Sequence, residues 1–229
     1  MTYRKSAETR NRLLEAAAKL FTERGYYDTG IGDITGEAGI GRASFYYYFD
    51  DKEQAARALF DTYVERIFAT ADRIAPPSPL EAFPGSVPVR DRTEALILSV
   101  LVRYILLFEY IAMNEATHAV YFDLVDYADY DAANIARLER TIFKETKLLA
   151  AAYGKPMSDD GLVAFILTVN SVAKSIFKGI QNGILGFSLR QAMEYFCVHA
   201  ILPDIPVPEQ RFRALLGEAF RRCDGLELD

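Results

Sequence analysis

Thr29-Gly-Ile-Gly-Asp-Ile-Thr-Gly-Glu-Ala-Gly-Ile-Gly-Arg-Ala-Ser-Phe-Tyr-Tyr-Tyr-Phe-Asp-Asp-Lys52 carries the pattern around which the rest of the chain is arranged. Ile31, Ile34 and Ala38 recur at offsets of three and four, the spacing of one apolar helix face, and Thr29 or Gly30 can cap its start. Gly39 breaks this helix, because glycine takes a positive φ without a steric penalty, and Ile40 then returns to the interior. A second helix starts at Gly41. Ala43 and the run from Phe45 to Phe49 cannot all face inward, so Arg42, Ser44 and part of Tyr46-Tyr47-Tyr48 look outward. Two short helices joined by a tight turn form a helix-turn-helix, and an outward Arg, Ser and Tyr set suits a DNA groove.

Upstream, a helix is expected from a Ser6 cap to Arg24, with Leu13, Ala17, Leu20 and Phe21 inward and Gly25 ending it. Met1 to Lys5 reads as a loose arm; its Arg4 and Lys5, with Arg10 and Arg12, can lie along phosphates or simply form a solvated terminus. Downstream, Lys52 to about Ile74 carries Ala56, Leu59, Phe60, Tyr63, Val64 and Ile67 at helical spacing.

Taken together, Thr9 to about Leu59 resembles the DNA-binding domain of the TetR family of transcriptional regulators. The marks are Leu13-Leu14, Ala17, Leu20-Phe21, Gly25-Tyr26, Thr29, Asp33-Ile34, Ala38-Gly39-Ile40, Phe45-Tyr46, Phe49 and Lys52-Glu53. The resemblance implies an all-α fold: an N-terminal three-helix helix-turn-helix domain at 1–52 and a larger helical ligand-binding and dimerisation bundle at 53–229. Lys52 to Ile74 would then be the connecting helix. It also implies that Arg42, Ala43 and Ser44 enter the groove, with Arg42 the best base contact. Tyr46, Tyr48 and Lys52 match positions that hold phosphates, and Thr29 and the helix start behind it offer a hydroxyl and free backbone N–H groups. Gly30, Gly41 and Tyr47 complete the DNA-binding set. The chain departs from the family pattern at Gly30, Gly32 and Gly36, which loosen the first short helix; Gly32 brings no long side chain to the groove, so specificity rests more on Arg42, Ser44 and Tyr47.

The 229 residues, 51% of them hydrophobic, suffice for a substantial core. The net charge of −6 argues against a nucleic-acid binder only as an average. Residues 1–52 hold eight Lys/Arg and eight Asp/Glu, so the acidic excess lies elsewhere, and local charge governs contact with phosphates. No signal peptide is evident, and the apolar run Ala95 to Phe108, interrupted by Arg103, reads as a buried helix rather than a membrane span. Cys197 and Cys223 give no disulfide framework, and a cytoplasmic location with reduced thiols is expected.

Five prolines between Ala75 and Val89 place a long loop there, followed by helices over Asp91 to about Asn114, Asn134 to Ala152, Asp159 to about Asn182, Ser188 to Pro203, and from Pro208 onward. The aromatic and acidic run from Glu115 to Tyr130 suits a broken helix. One head reads too few base pairs for useful specificity, so a homodimer on a palindromic operator in double-stranded DNA is expected. By resemblance its interface is the last two long helices, with Phe165, Val169, Val172, Ile176, Met193, Phe196 and Ala200 apolar enough for interface or core. Buried polar groups among aromatics suit a small-molecule effector pocket, with candidates Tyr104, Phe108, Glu109, Met113, Asn114, His118, Tyr121, Phe122, Asn170, Lys174 and Phe177. Glu109 and the Asp123-to-Asp131 cluster would favour a cationic aromatic ligand, and Arg103 or Lys174 a carboxylate, although the cluster also suits a solvated face.

Two other readings compete. An all-α metal enzyme has Glu115 and His118 in Glu-x-x-His spacing, but a di-iron site needs a second such pair and His199 supplies none. A helical interaction module with a degraded DNA head draws on the three glycines and the acidic total. No nucleophile–base pair, phosphate loop or zinc spacing appears, so no enzyme, metal or cofactor is expected.

Overall fold

The structure is a computed structural model, and it describes residues 2–75, 89–113, 147, 150–151, 154–205 and 207–226. Every regular element among them is helical. The chain divides into two compact units, one comprising Met1–Arg66 with Tyr110–Val125, the other Ile67–Glu109 with Asp126–Asp229.

In the first unit α1 spans Thr2–Arg24, α2 Ile31–Glu37 and α3 Arg42–Tyr48, and α4, Lys52–Ile74, contributes its leading turns. The expected loose arm before Ser6 is instead the first turn of α1, since Thr2 to Lys5 contain neither Gly nor Pro to stop it. Leu13, Leu14, Ala17, Leu20 and Phe21 of α1 are buried, as are Ile34, Ala38, Phe45 and Phe49 from the next two helices and Ala56, Leu59 and Phe60 from α4. Full burial of each large side chain contributes about 1.5–3 kcal/mol, which is what holds two seven-residue helices too short to persist alone. The chain turns at Gly25 (φ 84°) and Gly39 (φ 62°), both in the left-handed region.

In the second unit the central element is α5, Val89–Met113, up to Glu109. Leu96, Ile97, Leu101, Val102, Ile105, Leu106 and Phe108 are all buried, so this helix is apolar nearly all round. Its apolar span, Thr93–Ala112, is longer than the sequence reading allowed, and both it and α6, Asp159–Gln181, are long and apolar enough by length and composition to cross a membrane. Most of the α5 span is buried within the chain, whereas most of α6 is not. Arg103 does not await a ligand carboxylate: its guanidinium pairs with Asp72 of α4 and donates to the Ser99 carbonyl at 3.0 Å, while the Ser99 hydroxyl donates to the Ala75 carbonyl at 3.3 Å. These links let a cation sit in an apolar helix.

Ser158 accepts from the Gly161 N–H at 3.1 Å to start α6, and Ser188 and Gln191 form a capping box at the start of α7, Leu189–Phe196. Continuation to Pro203 takes a different form. The chain widens into a π turn, Cys197–Ile201, in which the Leu202 N–H reaches the Cys197 carbonyl, followed by a 3₁₀ turn, Leu202–Asp204. Pro203 has no N–H and its ring would strike the carbonyl four residues back, and the wider turn avoids that clash. The last helix, α8, spans Glu209–Cys223 and buries Phe212, Leu215, Leu216 and Phe220 as expected.

Candidate nucleic-acid interface

The outward face of the helix-turn-helix is set by what the inward face must bury. The Phe45 and Phe49 rings meet at a tilt with centroids 5.5 Å apart and are almost fully buried, which fixes the rotation of α3. Arg42, Ala43, Tyr46 and Tyr47 are thereby exposed, Tyr47 to 78%, and Ser44 and Tyr48 are half-buried at the edges. Gly41 caps α3 in extended conformation. A guanidinium, a hydroxyl and three phenols on one short helix supply donors for base edges and phosphates and rings for apolar contact.

Several expected DNA-facing groups turn inward instead. Thr29 is 1% exposed, and its hydroxyl donates to the Gly25 carbonyl at 2.8 Å and the Leu20 carbonyl at 3.3 Å. It therefore fastens the end of α1 and offers no hydroxyl to a phosphate. Gly30, not Thr29, is the N-cap of α2, and its N–H donates to Asp33 Oδ2 at 2.8 Å. Lys52 is half-buried: Nζ donates to the Tyr26 carbonyl at 2.7 Å and the Thr29 carbonyl at 2.8 Å and lies 4.1 Å from the Tyr26 ring centroid. Burial lowers its pKa, against the opposing charge of Asp28, and burial together with Glu53 and Asp51 pushes the Tyr26 phenol up to about 12.

The α1 arginines are also engaged within the unit. Arg12 donates to the Ala38 carbonyl, closing the end of α2, and the Arg10 guanidinium lies 5.4 Å over the Phe49 ring. Lys19 meets Glu37 at 2.6 Å and Arg24 meets Asp33 at 3.9 Å, so the carboxylates of α2 are matched by cations of α1. A shallow cleft of about 260 Å³ lies along this seam, lined by Arg12, Glu15, Lys19 and Glu37. These roles leave no mark on the local sequence, because their partners are backbone or side-chain groups of other segments.

In the second unit three pocket candidates meet. Phe108 lies 4.9 Å from Phe177, and Phe196 lies 5.2 Å from Phe108 and 5.7 Å from Tyr104. Glu109, Asn170 and Lys174 are half-buried. Burial raises the Glu109 pKa, with Asp224 adding to the shift and Arg190 opposing it. The Met113 side chain and Asn114, His118, Tyr121 and Phe122 lie outside the described residues, as do residues 76–88 of the Pro-rich loop.

The interface candidates separate. Val169, Ile176, Met193, Phe196 and Ala200 are buried within the chain itself, Phe196 against Tyr104 and Phe108, so they are core. Phe165 and Val172 remain half-exposed on α6 beside the exposed Ala164, Thr168, Ser171 and Ser175. Sequence reasoning missed Ile184, 76% exposed, and Tyr195, 46% exposed, since nothing in an isolated Ile or Tyr marks it as outward. Among the described residues no group of His, Cys, Asp and Glu is placed to hold a metal ion.

Residues 13–60 match the family model for bacterial regulatory proteins of the tetR family. An uncharacterised helix-turn-helix transcriptional regulator of Lactococcus lactis is 40% identical over 57 residues, covering 25% of this chain and 29% of that protein. The transcriptional repressor KstR2 of Mycolicibacterium smegmatis is 35% identical over 81 residues, 34% of this chain and 40% of that protein. The chain thus spans well under half the length of the curated relatives it matches. Over the whole chain, the crystal structure of RolR in complex with resorcinol is similar in fold, with a TM-score of 0.60 at 19% identity, covering 99% of this chain and 97% of that one.

Proposed function

We infer, from the premise that residues 13–60 form the DNA-binding domain of a TetR-family regulator, that the chain is a repressor that binds a palindromic operator as a homodimer and releases it on binding a small molecule. The observation that carries this reading is the outward row Arg42, Ala43, Tyr46 and Tyr47 on α3, locked in place by the buried Phe45 and Phe49. Arg42 reads a guanine edge, Ser44 and Tyr47 add base contacts, and Tyr46 and Tyr48 hold phosphates. Titration of one bound DNA and its single-base variants tests the assignment. Arg42→Ala costs about 1–3 kcal/mol on the preferred site and relaxes choice at one base pair. Equal loss on every sequence makes Arg42 a phosphate contact instead.

Self-association is supported by α6, an apolar helix that its own chain leaves largely uncovered along Ala164, Phe165, Thr168, Ser171, Val172 and Ser175. Two heads held one helical turn apart then read two half-sites. A small aromatic effector is supported by the cluster of Tyr104, Phe108, Phe177 and Phe196, and RolR, whose fold is similar, was solved with resorcinol. Ligand release of DNA requires that the effector bind the two head spacings unequally. The site of action on this reading is the cytoplasm.

A further inference from the structure

We propose that Lys52 is a positioning residue, acting on DNA through the turn from Gly25 to Gly30 and not as a phosphate ligand. The inference rests on the DNA-binding reading only for its functional half. Lys52 opens α4, where the helix dipole disfavours a cation. Its ammonium is nonetheless seated: two of its three donors reach the carbonyls of Tyr26 and Thr29 at 2.7 and 2.8 Å, and the Tyr26 ring lies 4.1 Å away. The same turn is fastened from the other side by the Thr29 hydroxyl on the carbonyls of Gly25 and Leu20. The turn leads straight into Gly30, the cap of α2, whose carbonyl receives the N–H groups of Asp33 at 3.1 Å and Ile34 at 3.2 Å. With a glycine cap that has no side chain of its own, the direction in which α2 leaves the turn is set by how firmly residues 26–29 are held. Lys52 ties that turn to the start of α4, and Thr29 ties it to the end of α1.

A compact ammonium fits this seat, and a planar guanidinium does not. At a phosphate contact the order reverses, because Arg serves as well as Lys or better. Lys52→Met, Lys52→Arg and Tyr26→Leu therefore separate the two roles, read by amide exchange of Thr29, Asp33 and Ile34 in the free protein and by the salt dependence of binding to DNA fragments selected with the wild type. The clamp predicts that exchange at these amides quickens about tenfold or more in Lys52→Met, and in the same direction in Lys52→Arg and Tyr26→Leu. Affinity falls in all three while the slope of log K against log salt stays at the wild-type value. Unchanged exchange, with a slope reduced by about 0.9 per head in Lys52→Met and affinity restored by Lys52→Arg, overturns the proposal in favour of a phosphate contact. If the wild type selects no DNA, the regulator reading fails, and the exchange measurements on the free protein still decide whether Lys52 is a clamp.

Discussion

Replacing Gly32 and Gly36 together by alanine tests the physical account of the reading head most simply. Both lie in the seven-residue helix α2, both are exposed, both have φ outside the left-handed region, and a Cβ built on either meets nothing within 4 Å. Neither position needs glycine for the fold, and each glycine in a helix costs about 0.5–1 kcal/mol relative to Ala through backbone entropy. The double variant should therefore hold α2 more firmly by about 1–2 kcal/mol, which slows exchange of the Ile34 to Ala38 amides about five- to thirtyfold where local opening controls it. Gly39→Ala reverses the sign. Gly39 has φ 62°, and its added Cβ falls 3.2 Å from the Arg12 guanidinium that closes α2. Left-handed strain of about 1–2 kcal/mol should speed the same amides. Hydrogen exchange followed by NMR on all three proteins reads both signs at once. No slowing in Gly32→Ala/Gly36→Ala, or no quickening in Gly39→Ala, refutes the claim that glycine is optional at the first two sites and required at the third.

Phe196→Ala should cost about 3–5 kcal/mol in urea unfolding, because its ring is packed against Tyr104 and Phe108 inside one chain; a loss below 1 kcal/mol would return it to the surface. Val172→Glu should leave the helical circular dichroism intact while halving the mass seen by sedimentation, and an unchanged mass would remove α6 from the proposed interface. Glu109→Gln should raise the melting temperature at pH 7. Burial and Asp224 raise the folded-state pKa of Glu109 above its ordinary 4.5, so ionisation costs stability above the folded-state value and the cost disappears below the unfolded one. The gain from Gln should therefore shrink as pH falls toward 4.5, and a gain that grows on acidification contradicts the assignment.

The helix-turn-helix was legible because its determinants are local. The spacing of Ile31, Ile34 and Ala38, the break at Gly39 and the aromatic run after Ser44 state which side is inward, and the burial of Phe45 and Phe49 follows that pattern. The helix starts at Asp159 and after Ser188 were equally local. What was not legible depends on partners distant in the chain. Lys52 and Arg12 carry side chains that suit a phosphate, yet each turns to a backbone carbonyl 26 residues away. Apolar side chains on the last long helices could not be divided between core and interface, since burial by the chain's own α5 and burial by a second copy demand the same residue types. The π turn before Pro203 is a further case: the proline announced an end to the α-helix, but widening of the preceding turn depends on how that end packs.

On the proposed reading the outward face of α3 selects a DNA sequence. Selection of genomic DNA fragments by the purified protein at low and moderate salt, with Arg42→Ala in parallel, measures it directly. The wild type should recover one palindromic site at both salts, and Arg42→Ala should lose it. No enrichment at either salt would rule out sequence selection by α3 and leave a helical interaction protein with a head that no longer reads DNA.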